Sequence, residues 1–147
     1  MVIDELKDYI VDNTSLVFGT DLFIGKLPDE MIECVVLSNS SPAPIQYCVN
    51  NETGYQEYSI DIRVRGNQSE LSTRTLAMTV QDTIENLLSE ELGSYHLIRG
   101  YFETPMYQLS GTDINNNYFY VGTYKMIIEG WLNGKSSSFR KYIWDRY

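Results

Sequence analysis

The stretch Tyr58-Ser59-Ile60-Asp61-Ile62-Arg63-Val64-Arg65 alternates strictly between apolar or aromatic and polar side chains. Successive side chains of a β-strand point to opposite faces of its sheet, so this period of two predicts a strand. One face would carry Tyr58, Ile60, Ile62 and Val64, and the other Ser59, Asp61, Arg63 and Arg65. The strand therefore has one face suited to a core and one that meets water or a partner.

A long helix is predicted directly after this strand. Gly66-Asn67-Gln68-Ser69 interrupts the strand, and Ser69-Glu70-Leu71-Ser72 has the composition of a helix start. The expected buried stripe runs over Leu76, Val80, Ile84, Leu87, Leu88 and Leu92. Gly93 is expected to end the helix, which then spans about 23 residues, or roughly 35 Å, and packs across the sheet.

The segment before the strand reads as a first helix, a short extended piece and a second strand. Ile3, Leu6, Tyr9 and Ile10 form an apolar stripe that predicts a helix ending near Asn13. Residues 21–24 are expected to be extended, and residues 32–37 to form a buried strand. Residues 38–54 are rich in Ser, Asn, Pro and Gly, which predicts a long surface loop suited to contacts.

Two further strands are predicted over residues 96–102 and 118–131. They would form a hairpin whose exposed tip is the loop from Gly111 to Asn117. Both faces of the later strand are apolar enough to be covered, which indicates a central position or a partner on the second face. The predicted fold class is α+β, with a mixed or antiparallel sheet packed against two helices.

Length and composition favour a single domain. The chain has 147 residues, 43% of them hydrophobic, which suits one core, and no apolar run approaches the roughly 20 residues of a membrane helix. We expect an α+β domain over residues 1–134 and a basic, aromatic C-terminal arm over residues 135–147. The acidic start of the chain lacks the features of an export signal, so synthesis and folding in a cytosol are expected.

Charge is distributed unevenly along the chain. The net charge is −9, which argues against general affinity for nucleic acid or anionic lipid. Residues 1–134 carry 7 basic and 19 acidic residues, or −12, whereas residues 135–147 carry 4 basic residues and 1 acidic residue, or +3. The arm is thus electrostatically matched to the body of its own chain or of a neighbour.

The arm follows Gly134 and a serine run, which is linker composition, and then becomes aromatic. Burying Phe139, Tyr142 and Trp144 would remove roughly 500 Å² from water, worth about 10 kcal/mol before entropy costs. Three arrangements stay open at this point: docking on a neighbouring subunit or partner, folding back on the same domain, and disorder.

Motifs of catalysis are scarce in the sequence. His96 is the only histidine, and the chain has no glycine-rich phosphate loop, no nucleophile elbow and no paired-cysteine metal spacing. Cys34 reads as a reduced core residue. We expect no enzyme, no metal and no cofactor, with a small hydrolase that uses acidic residues such as Asp29, Asp61 and Glu91 as the remote alternative.

In the order of its short sequence motifs, the chain resembles the minor capsid and tail terminator proteins of long-tailed bacteriophages. The resemblance rests on Asn13-Thr14-Ser15-Leu16-Val17, on Leu22-Phe23-Ile24-Gly25-Lys26-Leu27-Pro28-Asp29, on Cys34-Val35-Val36-Leu37, on Ile62-Arg63-Val64-Arg65 with the helix Leu71 to Leu92, and on the late tyrosine-rich strand. It covers most of residues 1–131, and the arm departs from it.

The resemblance implies a non-enzymatic virion protein with a tail-terminator-like fold. Such a protein forms a ring, expected to be hexameric, that caps the tail tube, stops its polymerisation and joins the tail to the neck. Its partners would be further copies of itself, the tail tube protein and the head-tail stopper or connector protein, with DNA only passing through the lumen and no membrane involved. A role as head-tail stopper or adaptor is the nearer alternative.

Three regions are predicted to make subunit or partner contacts. Arg63 and Arg65 would meet acidic residues of the next subunit, although ordinary solvated strand charges explain them equally well. The hairpin tip and the loop from Ser38 to Gly54 would meet the tube or the neck. The full set of candidate interface residues is Arg63, Arg65, Asp113, Asn115, Asn116, Phe139, Arg140, Tyr142, Trp144 and Tyr147.

Overall fold

A computed structural model of the protein describes residues 2–28, 33–40, 45–48, 53–87, 91–92, 95–106, 109–112 and 116–131. Its elements are α1 (Val2–Asn13), β1 (Leu22–Ile24), β2 (Cys34–Asn39), β3 (Ile45–Cys48), β4 (Thr53–Arg65), α2 (Glu70–Glu85), β5 (Glu91–Leu92), β6 (Tyr95–Thr104), β7 (Leu109–Thr112) and β8 (Tyr118–Trp131). Two helices and one mixed sheet confirm the predicted α+β class.

The sheet is built around its two longest strands, β4 and β8. The strands follow the order β1-β2-β4-β8-β6-β5, with β3 also paired to β4 and β7 to β8. Only β1 and β2 run parallel among the described pairs, and the others are antiparallel. The central position predicted for residues 118–131 is confirmed, because β8 pairs with β4 on one side and with β6 and β7 on the other.

Alternation along β4 selects the face of the sheet that forms the core. Ile60, Ile62 and Val64 are fully buried, and they lie opposite Tyr124, Gly122 and Tyr120 of β8. Side chains paired across neighbouring strands share a face, so these residues and the buried Val35 and Leu37 of β2 form one apolar surface. We call this surface the core face.

Both helices pack on the core face. Their buried residues belong to one apolar cluster with the core-face side chains, and they are Val2, Ile3, Leu6 and Ile10 of α1 and Ala77, Val80 and Ile84 of α2. The Tyr9 hydroxyl donates to the carbonyl oxygen of Thr83 at 3.0 Å, which ties α1 to α2. The helices thus cover one side of the sheet and fix each other's position.

The start of α2 was predicted correctly and its end was not. Ser69 is the N-cap, and its Oγ accepts a hydrogen bond from the Ser72 amide at 3.3 Å. The helix ends at Glu85, with Asn86 as its C-cap, so the predicted continuation to Leu92 is wrong. Leu87 and Leu92 are buried all the same, because a chain that leaves the helix still returns apolar side chains to the core.

The loop predicted over residues 38–54 also needs correction. Residues 45–48 form β3, and β4 begins at Thr53, so this segment lengthens the sheet along the N-terminal half of β4. Only Ile45-Gln46-Tyr47 alternates between apolar or aromatic and polar residues, which is too short a run to predict a strand. Serine, asparagine and proline on either side masked that short pattern.

The chain segment through Met106, directly after β6, is held in place by contacts with α2 and β8. Gly122 of β8 has Met106 directly above it, and a Cβ added there would lie 2.5 Å from Met106 Cγ and 2.9 Å from the Thr104 carbonyl oxygen. The buried Gln81 side chain of α2 accepts a hydrogen bond from the Met106 amide at 2.6 Å. Only glycine leaves room for this close approach of helix, chain segment and strand.

Candidate assembly surfaces

The face of the sheet opposite the helices is a second, partly apolar surface. It carries Phe23 of β1, Val36 of β2, Asp61 and Arg63 of β4, Val121, Thr123, Lys125 and Ile127 of β8 and Tyr101 of β6. We call it the open face. Val36 is only 2% exposed yet lies outside the apolar cluster of the core, so the open face has a small buried patch of its own.

Polar groups of the open face are held by one another. Asp61 Oδ1 accepts hydrogen bonds from Ser40 Oγ at 2.8 Å and from Thr123 Oγ1 at 2.9 Å. Lys125 Nζ lies 3.3 Å from Glu103 Oε2 and 3.8 Å from Glu57 Oε1. The hydrogen bond to Glu103, with both carboxylates nearby, raises the pKa of Lys125. The polar groups in the middle of this face are therefore paired with one another.

Arg63 and Arg65 do not share the environment that alternation predicts. Arg63 is exposed on the open face. Arg65 is only 5% exposed, and its Nη2 donates to the Pro28 carbonyl oxygen at 3.4 Å. The expectation that both present their charge to solvent is wrong for Arg65, because the segment through Pro28 crosses the end of β4. Contact of either residue with a second subunit stays a prediction.

Arg65 also lies beside Cys34, its partner in the β2–β4 register. Burial raises the pKa of the Cys34 thiol, and the nearby guanidinium opposes that effect. Cys34 is fully buried, as the sequence predicted. A buried thiol with a raised pKa is poorly reactive, which agrees with a packing role.

The loop predicted from Gly111 to Asn117 is wrong at its start, because Gly111 and Thr112 belong to β7. The rest of this hairpin tip is described only in part. Asn116, two residues before β8, is exposed and has a left-handed backbone (φ 62°), a conformation that asparagine tolerates well in turns. Asp113 and Asn115 lie outside the described residues. The same is true of the five arm residues Phe139, Arg140, Tyr142, Trp144 and Tyr147. The structure therefore brings only Arg63 and Asn116 of the predicted set to a described surface.

One exposed apolar feature was missed by the sequence reasoning. Val17 and Phe18, between α1 and β1, are 55% and 51% exposed. The Val17 carbonyl oxygen lies 3.1 to 3.3 Å from the amides of Thr20, Asp21 and Leu22, and Asp21 Oδ1 accepts from the Val17 amide at 2.6 Å. We call residues 17–21 the apolar turn. The Val-Phe pair before Gly19 was its only signal in the sequence.

The apolar turn lies against the acidic side of α1. Lys7 Nζ is 4.7 Å from the centre of the Phe18 ring and 2.6 Å from Asp8 Oδ1. The hydrogen bond to Asp8 raises the pKa of Lys7, and Asp4 and Glu5 add to the effect. Phe18 is thus an exposed aromatic ring beside a lysine that is itself surrounded by carboxylates.

The helices are acidic, whereas the strands are nearly neutral. The two helices carry seven acidic and two basic residues, or −5. The strands carry five acidic and four basic residues, or −1. Of the net charge of −12 on residues 1–134, the helices therefore carry −5, the strands −1 and the connecting segments the remaining −6.

Chemical groups that could act on a substrate are not brought together. Among the described residues, no group of three or more His, Cys, Asp or Glu could hold a metal ion. Asp61 lies in β4, whereas Glu91 lies in β5 at the far edge of the sheet, beyond β8 and β6. Asp29 is outside the described residues. Within the described part of the chain, no helix is long and apolar enough to cross a membrane.

These features describe an α+β fold with one face covered by helices, one open face and an exposed apolar turn. The family model for bacteriophage tail terminator proteins matches residues 9–130. The chain belongs to that family and is a structural protein of a phage tail.

A solved structure has a similar fold. It is a chain of the "Virion of native gene transfer agent (GTA) particle", with a TM-score of 0.50 and 11% sequence identity over 88% of this chain and 92% of that chain. At this identity the likeness concerns the fold alone. The search of curated proteins gives no match.

Proposed function

We propose that the protein forms a ring, hexameric by resemblance to its family, that caps the completed tail tube, stops its polymerisation and joins the tail to the neck of the virion. The match of the tail terminator family over residues 9–130 carries this proposal. The partners are then further copies of this chain, the tail tube protein and the head-tail stopper or connector protein.

The surfaces of the domain are suited to such a ring. A ring with one repeated contact needs two different, complementary surfaces on each subunit. The open face, with exposed Arg63 and its paired polar groups, is one candidate, and the apolar turn beside α1 is a different one. In this proposal, Arg63 lies in the contact between subunits. The hairpin tip with Asn116 faces the tube or the neck.

The charge layout also suits a channel for DNA. A wall without clustered arginine or lysine does not hold phosphates, since nucleic acid is bound mainly through basic side chains. The helices, with a net charge of −5, provide such a wall if they face the lumen. DNA would then pass through the ring without being retained.

The experiment is to remove the gene and measure tails by electron microscopy. Loss of a tail terminator leaves tails longer than normal, because nothing ends tube polymerisation. Tails of normal length beside full, detached heads would instead assign the protein to the head-tail stopper or adaptor role. Restoring the gene on a plasmid is the control, and it should return tails to normal length.

A further inference from the structure

The apolar turn is left uncovered by the described part of the chain. Val17 and Phe18 are both more than half exposed, although the backbone that presents them is fixed by several hydrogen bonds. Exposed apolar side chains on a rigid backbone are typical of contact surfaces, since little conformational entropy is lost when they are covered. Their surroundings on α1 are acidic, with Asp4, Glu5 and Asp8 around Lys7.

We propose that the C-terminal arm of a second copy, residues 135–147, docks on the apolar turn and on the acidic side of α1. The proposal rests on the ring proposed above. In this arrangement the arm of each subunit reaches the next subunit and fastens the ring.

The chemistry of the arm matches this site on two counts. Its aromatic side chains, Phe139, Tyr142 and Trp144, suit a contact with Val17 and Phe18. Its net charge of +3 complements α1, which carries four acidic residues and one lysine. The open face also has apolar side chains, but it is nearly neutral and so does not complement the positive charge of the arm.

Distances favour a second copy over the arm's own domain. Phe18 is bridged to Leu22, and the register leads from Leu22 through Val35 and Val64 to Tyr120 of β8. The arm leaves β8 near Trp131, eleven residues further along, which is about 36 Å at about 3.3 Å per residue. Three strand spacings of about 4.8 Å separate β8 from β1 laterally.

Within one chain, the residues of the arm up to Lys141 are too short for this path, and only its last residues, from Tyr142 on, would span it when fully extended. Phe139 is eight residues beyond Trp131, so it reaches about 28 Å even when fully extended. The separation along and across the sheet is roughly 38 Å, before any detour around the domain. A neighbour whose apolar turn lies near the end of β8 removes this difficulty.

The test is photo-crosslinking of assembled full-length protein, with p-benzoylphenylalanine replacing Phe18. Equal amounts of ¹⁵N-labelled and unlabelled protein are mixed, assembled on tail tubes and irradiated. Trypsin releases residues 136–140 and 142–146 of the arm, and mass spectrometry identifies which of these peptides is attached to position 18. The same photoreactive residue at Ile98, which is 39% exposed on β6 across the sheet, is the matched control.

The expected result is a cross-link from position 18 to arm peptides, with labelled and unlabelled chains joined, and none from position 98. Arm cross-links confined to single chains would mean that the arm folds back on its own domain. Cross-links to the tube protein would mean that the apolar turn binds the tube and not the arm. Either result overturns the proposal, as does the absence of arm cross-links in rings that form normally. If no rings form on the tubes, the proposed function fails first.

A charge exchange gives an independent readout. Asp8→Lys together with Asp12→Lys in one chain, or Arg140→Glu together with Lys141→Glu in another, should each weaken ring formation about tenfold, as expected for two lost ion pairs. Both pairs of substitutions in the same chain should restore assembly. Circular dichroism shows whether each variant is folded. Folded variants that assemble as well as the wild type would overturn the proposal.

Discussion

The core face and the open face belong to the same strands but have different tasks. In β4, Ile60, Ile62 and Val64 are fully buried against two helices, whereas the alternate residues Asp61 and Arg63 remain partly or fully exposed. On one face a side chain contributes to folding. On the other, we expect it to contribute to assembly, because its polar groups are already paired and no described helix covers it. One residue along the strand is enough to change the consequence of a mutation.

Ile62→Ala on the core face should give the largest effect. It creates a cavity in a fully buried site opposite Gly122, which typically lowers the free energy of unfolding by roughly 2–5 kcal/mol. Urea denaturation followed by circular dichroism measures the loss. Ser59→Ala, three residues earlier and facing the other way, is the control and should stay within about 0.5 kcal/mol. Equal losses in the free energy of unfolding for the two variants would contradict the distinction between the core face and the open face.

Gln81→Leu should be the next most damaging change. It removes the acceptor of the buried Met106 amide, and a buried donor left without a partner costs roughly 1–3 kcal/mol. Asp82→Leu, an exposed neighbour on α2, keeps that hydrogen bond. Thermal unfolding should therefore show a lower Tm for Gln81→Leu than for Asp82→Leu. The reverse order would mean that the chain segment through Met106 does not depend on α2.

High pH should destabilise the core face. Burial, helped at Tyr120 by a 2.6 Å hydrogen bond to Glu70, raises the pKa of Tyr120 and Tyr124 to about 12. An unfolded tyrosine ionises near 10. The protonated hydroxyls of Tyr120 and Tyr124 therefore stabilise the folded state fully below pH 10, and this stabilisation is lost as the pH rises from 10 to 12.

By pH 11 the loss should be about 1 kcal/mol per tyrosine. Denaturation midpoints measured from pH 8 to pH 11 test this, and Tyr120→Phe should show a shallower fall than the wild type. A fall of the same steepness in the variant would show that Tyr120 ionises as readily in the folded protein as in the unfolded chain.

Local patterns in the sequence predicted most of the fold. The stripe of α1, the alternation of β4, the bounds of β8 and the Ser69 cap depend on neighbours along the chain, which a sequence displays directly. The end of α2 was not predicted correctly. Leu87 and Leu92 continue the helical spacing of apolar residues and are buried, although both lie beyond the end of the helix. Spacing reports burial and not the backbone that achieves it.

The candidate surfaces were harder to predict than the fold. Alternation places Arg65 among solvent-facing residues, but the backbone at Pro28 lies over it, and such long-range contacts leave no local signal. The apolar turn was missed because an exposed Val-Phe pair looks like any short apolar run. The acidity of the helical layer became visible only when charges were assigned to elements.

Arg63→Glu on the open face should have the smallest effect on folding and a large effect on assembly. An exposed strand charge contributes within about 0.5 kcal/mol to stability, so its denaturation curve should overlay that of the wild type. Arg74→Glu, the same exchange on the exposed side of α2, is the matched control. Each variant is incubated with purified tail tubes.

The decisive measurement is the fraction of tube ends that carry a ring, counted by electron microscopy. The wild type and Arg74→Glu should cap most ends, whereas folded Arg63→Glu should leave them bare. Rings formed equally well by Arg63→Glu would contradict the assignment of the open face to subunit contacts. Tubes left uncapped by the wild-type protein itself would contradict the proposed role as tail terminator.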